Sequence, residues 1–296
     1  MQRVKVEIEC AECIIHRGHA EIIEATQDPA TRFEAMNALF EFLKNEFDPK
    51  AVPAYIGTER DRIVRKITRN PDPYSERKRL CNQKALEMLP FAEKIIENSP
   101  NGKIRFKKAV LCSIVGNVME FDIPVHSFKF DDLEKLIQES EKDLVIDEIA
   151  KIYDLARKAK NVLYLLDNAG EVAFDTLFVK ELKKLGALVT VAVKSSPILN
   201  DATLEDAEFV GMDKIADKIV TTGTDAVGLN LKESSKEFLE LYNSADLIIA
   251  KGMGYAETVT ENSLKRPHAL LLRTKCNPVA RFFGVPREKN VAKIMS

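Results

Sequence analysis

Apolar positions divide the chain into two parts with different periodicity. Up to about residue 155, apolar residues recur every three or four positions, as on helices with one core-facing side. Within 33–47 the apolar stripe predicts a buried helix face, and it consists of Phe33, Met36, Leu39, Phe40 and Leu43. Proline-containing turns separate these segments, and strand signals are scarce. We therefore predict an all-helical N-terminal domain over residues 1–155.

From Asn161 onward, short β-branched runs alternate with amphipathic segments. The runs span 162–166, 188–193, 218–221, 247–250 and 269–273. A helical period covers 174–184 and ends before Gly186, where a C-terminal cap is expected. Apolar strands that alternate with helices predict a parallel sheet covered on both faces. The predicted fold class is therefore α/β, with a Rossmann-like three-layer α/β/α domain and a mainly parallel sheet over residues 156–296.

Composition narrows the class of protein. The 296 residues include 44 Lys and Arg against 46 Asp and Glu, and a formal net charge of −2 argues against a nucleic-acid partner. A hydrophobic content of 45% supports a folded core rather than disorder. No apolar run approaches the roughly 18–20 residues of a membrane span, and MQRVKVEIEC lacks the apolar region of a secretion signal. We expect a cytoplasmic protein without a membrane partner, and homo-oligomerisation stays open.

Polar residues follow each of four predicted strands. Because the carboxyl ends of parallel strands meet at one edge of the sheet, we expect these residues to converge there. Carboxylate and amide oxygens suit Mg²⁺ or Mn²⁺, whereas a lysine, glycine amides and a hydroxyl suit a phosphate. Together they indicate phosphoryl chemistry. In strand order, the residues are Asp167 and Asn168, then Asp201, then Thr222, then Lys251, Gly252 and Gly254.

Each of these groups also has a structural explanation. The pairs at 167–168 and 200–201 are residue types that cap helix N-termini. Glycine pairs are common in turns, and Lys-Gly-x-Gly is neither a Walker A loop nor a dinucleotide fingerprint. The basic run at 60–69 is typical of a solvated helix face. The functional interpretation therefore depends on several such groups at successive strand ends.

Taken together, these motifs resemble the damage-control phosphatase family. They are D-N-A-G-E at 167–171, N-D at 200–201, K-G-M-G at 251–254 and K-C at 275–276. A C-x-x-C at Cys10 and Cys13 and a Gly-Asn at 116–117 resemble the prokaryotic branch of that family. The resemblance covers most of the chain. It implies a phosphomonoester hydrolase that depends on Mg²⁺, Mn²⁺, Co²⁺ or Ni²⁺ and acts on small phosphorylated metabolites, such as sugar phosphates or damaged phosphometabolites.

The resemblance also implies roles for individual residues. The implied metal ligands are Asp167, Asn168 and Asp201, and the implied catalytic residues are Asp167, Asp201 and Lys251. The substrate or phosphate is expected to contact Asn117, Glu120, Thr222, Gly252 and Gly254. Two positions depart from the family pattern, because Glu120 replaces an Asp and Tyr255 replaces an Asn. These departures concern pocket shape and substrate choice more than the metal ligands.

Two other functions stay open. A Rossmann-like domain also suits an S-adenosylmethionine-dependent carboxyl methyltransferase, although the usual glycine-rich loop after the first strand is replaced by D-N-A-G-E. A non-catalytic module would bind a phosphometabolite without turning it over. The fold by itself does not decide between these functions.

Five cysteines in 296 residues favour reduced thiols over a disulfide scaffold. Cys10 and Cys13 precede His16 and His19, but the spacing between the pairs is too short for a zinc finger. Packed thiols, a redox pair and an accessory metal site remain the alternatives for this segment. Cys112 lies in an apolar run and is expected in the core.

Overall fold

The structure, a computed structural model, describes residues 3–116 and 139–296. The first described range forms helices α1 (Cys10–Ala25), α2 (Pro29–Glu46), α3 (Pro53–Thr68), α4 (Ser75–Glu97) and α5 (Gly102–Gly116). The second forms β1 (Leu144–Asp147), α6 (Ile149–Ala156), β2 (Asn161–Leu165), α7 (Glu171–Lys184), β3 (Leu188–Val193), α8 (Leu204–Phe209), β4 (Lys218–Thr221), α9 (Lys236–Ser244), β5 (Leu247–Lys251), α10 (Gly252–Val259), β6 (His268–Arg273), α11 (Asn277–Phe283) and β7 (Asn290–Met295). None of these described helices combines the length and apolarity of a membrane-crossing helix.

The strands form one sheet in the order β1-β7-β6-β5-β2-β3-β4. Neighbours from β6 to β4 run parallel, whereas β7 is antiparallel to β6 and β1 is parallel to β7. The five predicted strands correspond to β2 through β6. The edge strand β1 and its neighbour β7 were not predicted. Strand β1 has only four residues, with an alternating, half-exposed pattern.

Both faces of the sheet are covered, because alternate residues of each central strand enter different cores. In β2, Val162 and Tyr164 pack beneath α4, α5, α6 and α7. The intervening Leu163 and Leu165 pack on the other face with α9, α10 and α11. Cys112 is buried in the first of these cores, as expected. The predicted fold class, an α/β protein with a mostly parallel sheet and a helical N-terminal region, is confirmed.

Two details of the N-terminal helices differ from the prediction. In α2, Leu39 and Leu43 are buried, but Phe33 is 74% exposed and Phe40 is 49% exposed. The predicted stripe was too wide, because α2 packs mainly against α1 and α3 and buries a narrow line that also includes Ala35. The basic run at 60–69 is only partly a solvated face. Lys66 and Arg69 are exposed, whereas Arg60 is 1% exposed and is buried against Glu21 of α1.

The predicted division of the chain at residues 155 and 156 stays a prediction. In the structure, α5 and β1 precede that boundary and pack with elements that follow it. Helix α5 lies along α7, and β1 pairs with β7.

Candidate functional site

The carboxyl ends of five parallel strands meet at one edge of the sheet, above which a cleft of about 290 Å³ opens. The cleft is lined by residues of α1 and α3 and by the loops that follow β2 and β3. The first turns of α10 and α11 complete its wall. Ligands of open α/β sheets bind at this edge, so the topology marks this cleft as the candidate site.

The structure brings Asp167, Asn168 and Asp201 together. The loops after β2 and β3 run side by side, with an isolated antiparallel bridge between Asn168 and Asp201. The backbone N–H of Ala169 donates to the Asn200 carbonyl at 2.9 Å, and that of Ala202 donates to the Asp167 carbonyl at 2.7 Å. All three side chains line the cleft, although more than thirty residues separate the two loops in sequence.

The side chains of these residues are nearly buried, with Asp167 at 7%, Asn168 at 3% and Asp201 at 3% exposure. Asn168 Nδ2 donates to Asp167 Oδ2 at 2.9 Å and to Glu171 Oε2 at 3.3 Å. Because both hydrogen bonds use the amide nitrogen, the amide oxygen is the atom that Asn168 offers to a cation.

Helix capping does not account for this arrangement. The N-cap of α7 is Gly170, and no side chain accepts a capping hydrogen bond there. Helix α8 is capped by Thr203 and Asp206, so Asn200 and Asp201 are not its caps. The polar side chains at the two strand ends therefore serve something other than the helices that follow them.

The donor set fits a divalent cation of the hard, oxygen-preferring kind. Two carboxylates and one amide oxygen are typical ligands of Mg²⁺ or Mn²⁺. In the described ranges, no three His, Cys, Asp or Glu side chains cluster as a metal site, which is consistent with a set that contains only two acids. Their assignment as ligands stays a prediction.

Lys251 lies in a buried network rather than among the residues that line the cleft. Its Nζ donates to the Ser113 carbonyl at 2.8 Å, to Asp175 Oδ1 at 2.9 Å and to Glu171 Oε1. Burial opposes the charged form of the lysine, but the two carboxylates outweigh it and raise the pKa of Lys251. Its predicted contact with a phosphate stays a prediction, and the structure links it to the cleft through Glu171 and Asn168.

Of the other residues predicted to contact the substrate, one lines the cleft, two are buried away from it and two are not described by the structure. Gly254, in the first turn of α10, lines the cleft. Gly252 and Thr222 are buried and are not among the lining residues of the described chain, and the Thr222 hydroxyl donates to the Thr224 carbonyl at 2.9 Å. Asn117 and Glu120 lie outside the described residues.

The sequence assigned no role to Lys194, which is the buried cation beside Asp201. Its Nζ lies 3.6 Å from Asp201 Oδ2 and donates to the carbonyls of Ala226 and Gly228 at 2.7 and 2.8 Å. The ammonium also lies 4.9 Å from the ring centroid of Tyr255, at a distance typical of a cation–π contact. Burial lowers the pKa of Lys194, and the nearby Asp201 carboxylate opposes that shift. The sequence feature that could have identified Lys194 is its position directly after β3, at the edge of the sheet where ligands bind.

Helix α3 holds the loops that border the cleft. Asp61 Oδ2 accepts a hydrogen bond from the Leu199 N–H at 3.0 Å, and Thr58 Oγ1 accepts one from the Val227 N–H at 3.0 Å. Leu199 has a φ of +47°, a conformation that costs free energy for a residue with a side chain. The buried Asp61 carboxylate therefore helps to hold the loop that ends at Asp201 in its strained form.

Three thiols line the same cleft, from Cys10, Cys13 and Cys276. Burial raises the pKa of Cys10 to about 11 and also raises that of Cys276. Reactive thiols have lowered pKa values, so Cys10 has the properties of a packed thiol rather than a nucleophile.

Alkylation of Cys10 by iodoacetamide is expected to be slow near neutral pH. With a pKa of about 11, roughly one thiol in a thousand is ionised at pH 8, against about one in ten at the ordinary value of 9.0. The rate should therefore rise about tenfold per pH unit up to about pH 11. Peptide mapping by mass spectrometry measures it, with urea-unfolded protein as the control. Half-maximal alkylation below pH 8 would instead indicate a redox-active pair.

Comparison with known proteins covers almost the whole chain. A sequence model of the damage-control phosphatase ARMT1-like domain matches residues 6–291. A damage-control phosphatase of Archaeoglobus fulgidus is 35% identical over 293 residues, which cover 99% of this chain and 100% of that protein. An uncharacterized protein of Methanocaldococcus jannaschii is 41% identical over 295 residues, or 98% of this chain and 95% of that one. The crystal structure of a DUF89 family protein from Pyrococcus horikoshii matches with a TM-score of 0.85 at 36% identity, and covers 97% of this chain and 98% of that chain.

The fold and the cleft thus define an α/β protein with buried carboxylate and amide side chains at the carboxyl edge of its sheet. The chain belongs to the damage-control phosphatase ARMT1-like family. The family predicted from the sequence motifs is confirmed, and so is the prediction that the chain is a phosphatase.

Proposed function

We propose that this protein is a divalent-metal-dependent phosphatase that hydrolyses small phosphorylated metabolites, sugar phosphates or damaged phosphometabolites among them. The observation that carries the proposal is the convergence of Asp167, Asn168 and Asp201 in one cleft. Membership of a phosphatase family supports the reaction class. The volume of the cleft, about 290 Å³, suits a small metabolite rather than a macromolecule.

In this proposal the two carboxylates and the Asn168 amide oxygen hold the cation. When bound, a divalent cation supplies positive charge and Lewis acidity for phosphoryl transfer. The Lys194 ammonium lies 3.6 Å from Asp201 Oδ2 and partly offsets the negative charge of Asp167 and Asp201. The near-complete burial of these side chains excludes bulk water, which strengthens their interaction with a phosphate.

Two further features of the cleft suit the phosphate itself. Met253 and Gly254 belong to the first turn of α10, where N–H groups have no acceptor within the helix and favour anions. Lys275, two residues after β6, adds an ammonium group to the cleft wall. The sequence placed Lys275 at a strand end but gave it no role.

The test is turnover of a panel of phosphomonoesters with Mg²⁺, Mn²⁺, Co²⁺ or Ni²⁺ and with a chelator. We expect released inorganic phosphate with at least one of these metals and less than about 1% of that rate with the chelator. Binding of a phosphate ester without turnover under every metal would instead favour a non-catalytic module. Transfer of a methyl group from S-adenosylmethionine would favour the methyltransferase.

A further inference from the structure

Arg60 of α3 lines the cleft that also contains Asp167, Asn168 and Asp201. The α3 residues that line the cleft follow one another in steps of one, three and three positions, so they lie in a stripe along one face of the helix. That stripe consists of Pro53, Ala54, Gly57 and Arg60. Arg60 is the only charged member of the stripe, and just 1% of its surface is exposed. A cation is therefore held in the wall of the cleft with little access to bulk water.

The guanidinium of Arg60 is only partly used by the protein. Its Nε donates to Glu21 Oε2 at 3.2 Å. Its Nη2 is buried, and no residue in the described ranges accepts a hydrogen bond from it. A buried donor without an acceptor is costly, and a guanidinium has five N–H groups in a planar fork. The Nη2 group of Arg60 is therefore positioned to donate a hydrogen bond to an acceptor on a molecule bound in the cleft.

Arg60 is held at a fixed position relative to the candidate metal ligands. Its neighbours on α3, Thr58 and Asp61, bind the backbone N–H groups of Val227 and Leu199, and both of these residues also line the cleft. Leu199 lies two residues before Asp201 in the same loop. A ligand anchored at Asp201 is thus enclosed by the same wall that presents Arg60.

One helical turn from Arg60, Gly57 leaves space in the cleft. A Cβ atom added there would meet no atom within 4 Å. Glycine in a helix interior costs about 1 kcal/mol relative to alanine. The absence of a side chain at Gly57 therefore leaves space in the cleft beside Arg60, and it costs helix stability.

We propose that Arg60 binds a second anionic group of the substrate while the scissile phosphate lies at Asp167, Asn168 and Asp201. The planar fork of arginine matches a carboxylate or a second phosphate in bidentate geometry. The preferred substrates are then small phosphate monoesters that also carry a carboxylate or another phosphate. This inference rests on the proposed function for its substrate class.

Two matched substrate pairs test the proposal. The first pair is 3-phosphoglycerate and glycerol 3-phosphate, which differ by a carboxylate in place of a hydroxymethyl group. The second pair is fructose 1,6-bisphosphate and fructose 6-phosphate, which differ by one phosphate. Wild-type protein should prefer the more anionic member of at least one pair by about 10-fold to 100-fold in kcat/KM, the range expected for hydrogen bonds to a charged group. The pair that shows the preference identifies the second anion.

The variants must avoid leaving an unpaired buried charge. Arg60→Met alone would remove the cation beside Glu21, which is fully buried, so the informative variant is Arg60→Gln combined with Glu21→Gln. This double variant should lose the preference and keep its activity on the less anionic substrate within about 3-fold. Arg60→Lys should keep part of the preference, because it retains the charge but not the fork. Glu21→Gln alone, with Arg60 in place, is the matched control and should keep the whole preference.

Two results would overturn the inference. One is a wild-type protein that treats both members of each pair alike. The other is an equal loss on both members in the double variant. Calorimetric binding of 3-phosphoglycerate and glycerol 3-phosphate with Mg²⁺ present gives a readout without turnover. An Arg60-dependent binding preference in a protein that hydrolyses no ester of the phosphomonoester panel with any of the four metals would refute the proposed function and leave the anion site standing.

Discussion

Asp167→Asn is expected to lower phosphatase kcat by more than about 100-fold. Groups that only orient metal ligands typically contribute 10-fold to 100-fold, so loss of a ligand should exceed that range. The substitution keeps the shape of the side chain and an oxygen that can still accept the Asn168 hydrogen bond. The fold should therefore survive, and the loss should come from the missing charge. Steady-state kinetics and metal content by mass spectrometry measure the two effects.

Asp225→Asn provides the matched control for this prediction. Asp225 also follows a strand at the same edge of the sheet, but it pairs with Arg62 and Arg65 and is not among the cleft-lining residues of the described chain. Its variant should keep kcat within about 3-fold. The cation assignment is wrong if Asp167→Asn retains wild-type turnover and wild-type metal content.

Lys251→Met is expected to destabilise the protein by about 3–5 kcal/mol. The substitution removes the cation from a site that is fully buried, and the carboxylates of Glu171 and Asp175 lose the positive charge that they share. Tyr164 and Ser113 also donate to Asp175, at 2.7 and 2.8 Å, so the damage should spread through the packing between α5 and α7. Urea unfolding followed by circular dichroism measures the free energy of unfolding.

Two further variants distinguish the effect of charge from the effect of packing in the buried network of Lys251, Glu171 and Asp175. Combining Lys251→Met with Glu171→Gln and Asp175→Asn removes both negative charges and should recover part of the lost stability. Lys236→Met, at an exposed lysine, should change the free energy of unfolding by less than about 0.5 kcal/mol. If Lys251→Met keeps wild-type stability and only raises KM, Lys251 contacts the substrate directly, as the family resemblance implies.

The sequence by itself predicts the central part of the fold because a buried parallel strand must be apolar on both faces. That requirement leaves a continuous apolar run such as 247–250, which is buried throughout and can be recognised from the local sequence. Strand β1 lies at the edge of the sheet, and β7 is antiparallel to β6 and partly exposed at Lys293 and Ile294, so neither has this requirement along its whole length. The pairing of β1 depends on β7, which lies more than 140 residues away in sequence, so no local pattern marks either strand.

The candidate cation site was predictable for a related reason. In a parallel sheet the chain direction places every strand end at one edge, and because β2 and β3 are neighbours, Asp167 and Asp201 meet there. Polar residues directly after apolar runs therefore have functional meaning even in a single sequence. The local sequence does not determine whether the side chain at a strand end points into the cleft or into the core.

Only the tertiary structure decided which charged residues face the cleft. Lys251 follows β5 as Asp167 follows β2, yet its side chain lies in the core among Glu171 and Asp175. Arg60 lies in a basic run that is typical of a solvated face, yet it is buried in the cleft wall. A charged side chain is buried only where distant elements supply its partners, as Glu21 does for Arg60. Those partners are set by the packing of helices and loops, which the local sequence pattern does not encode.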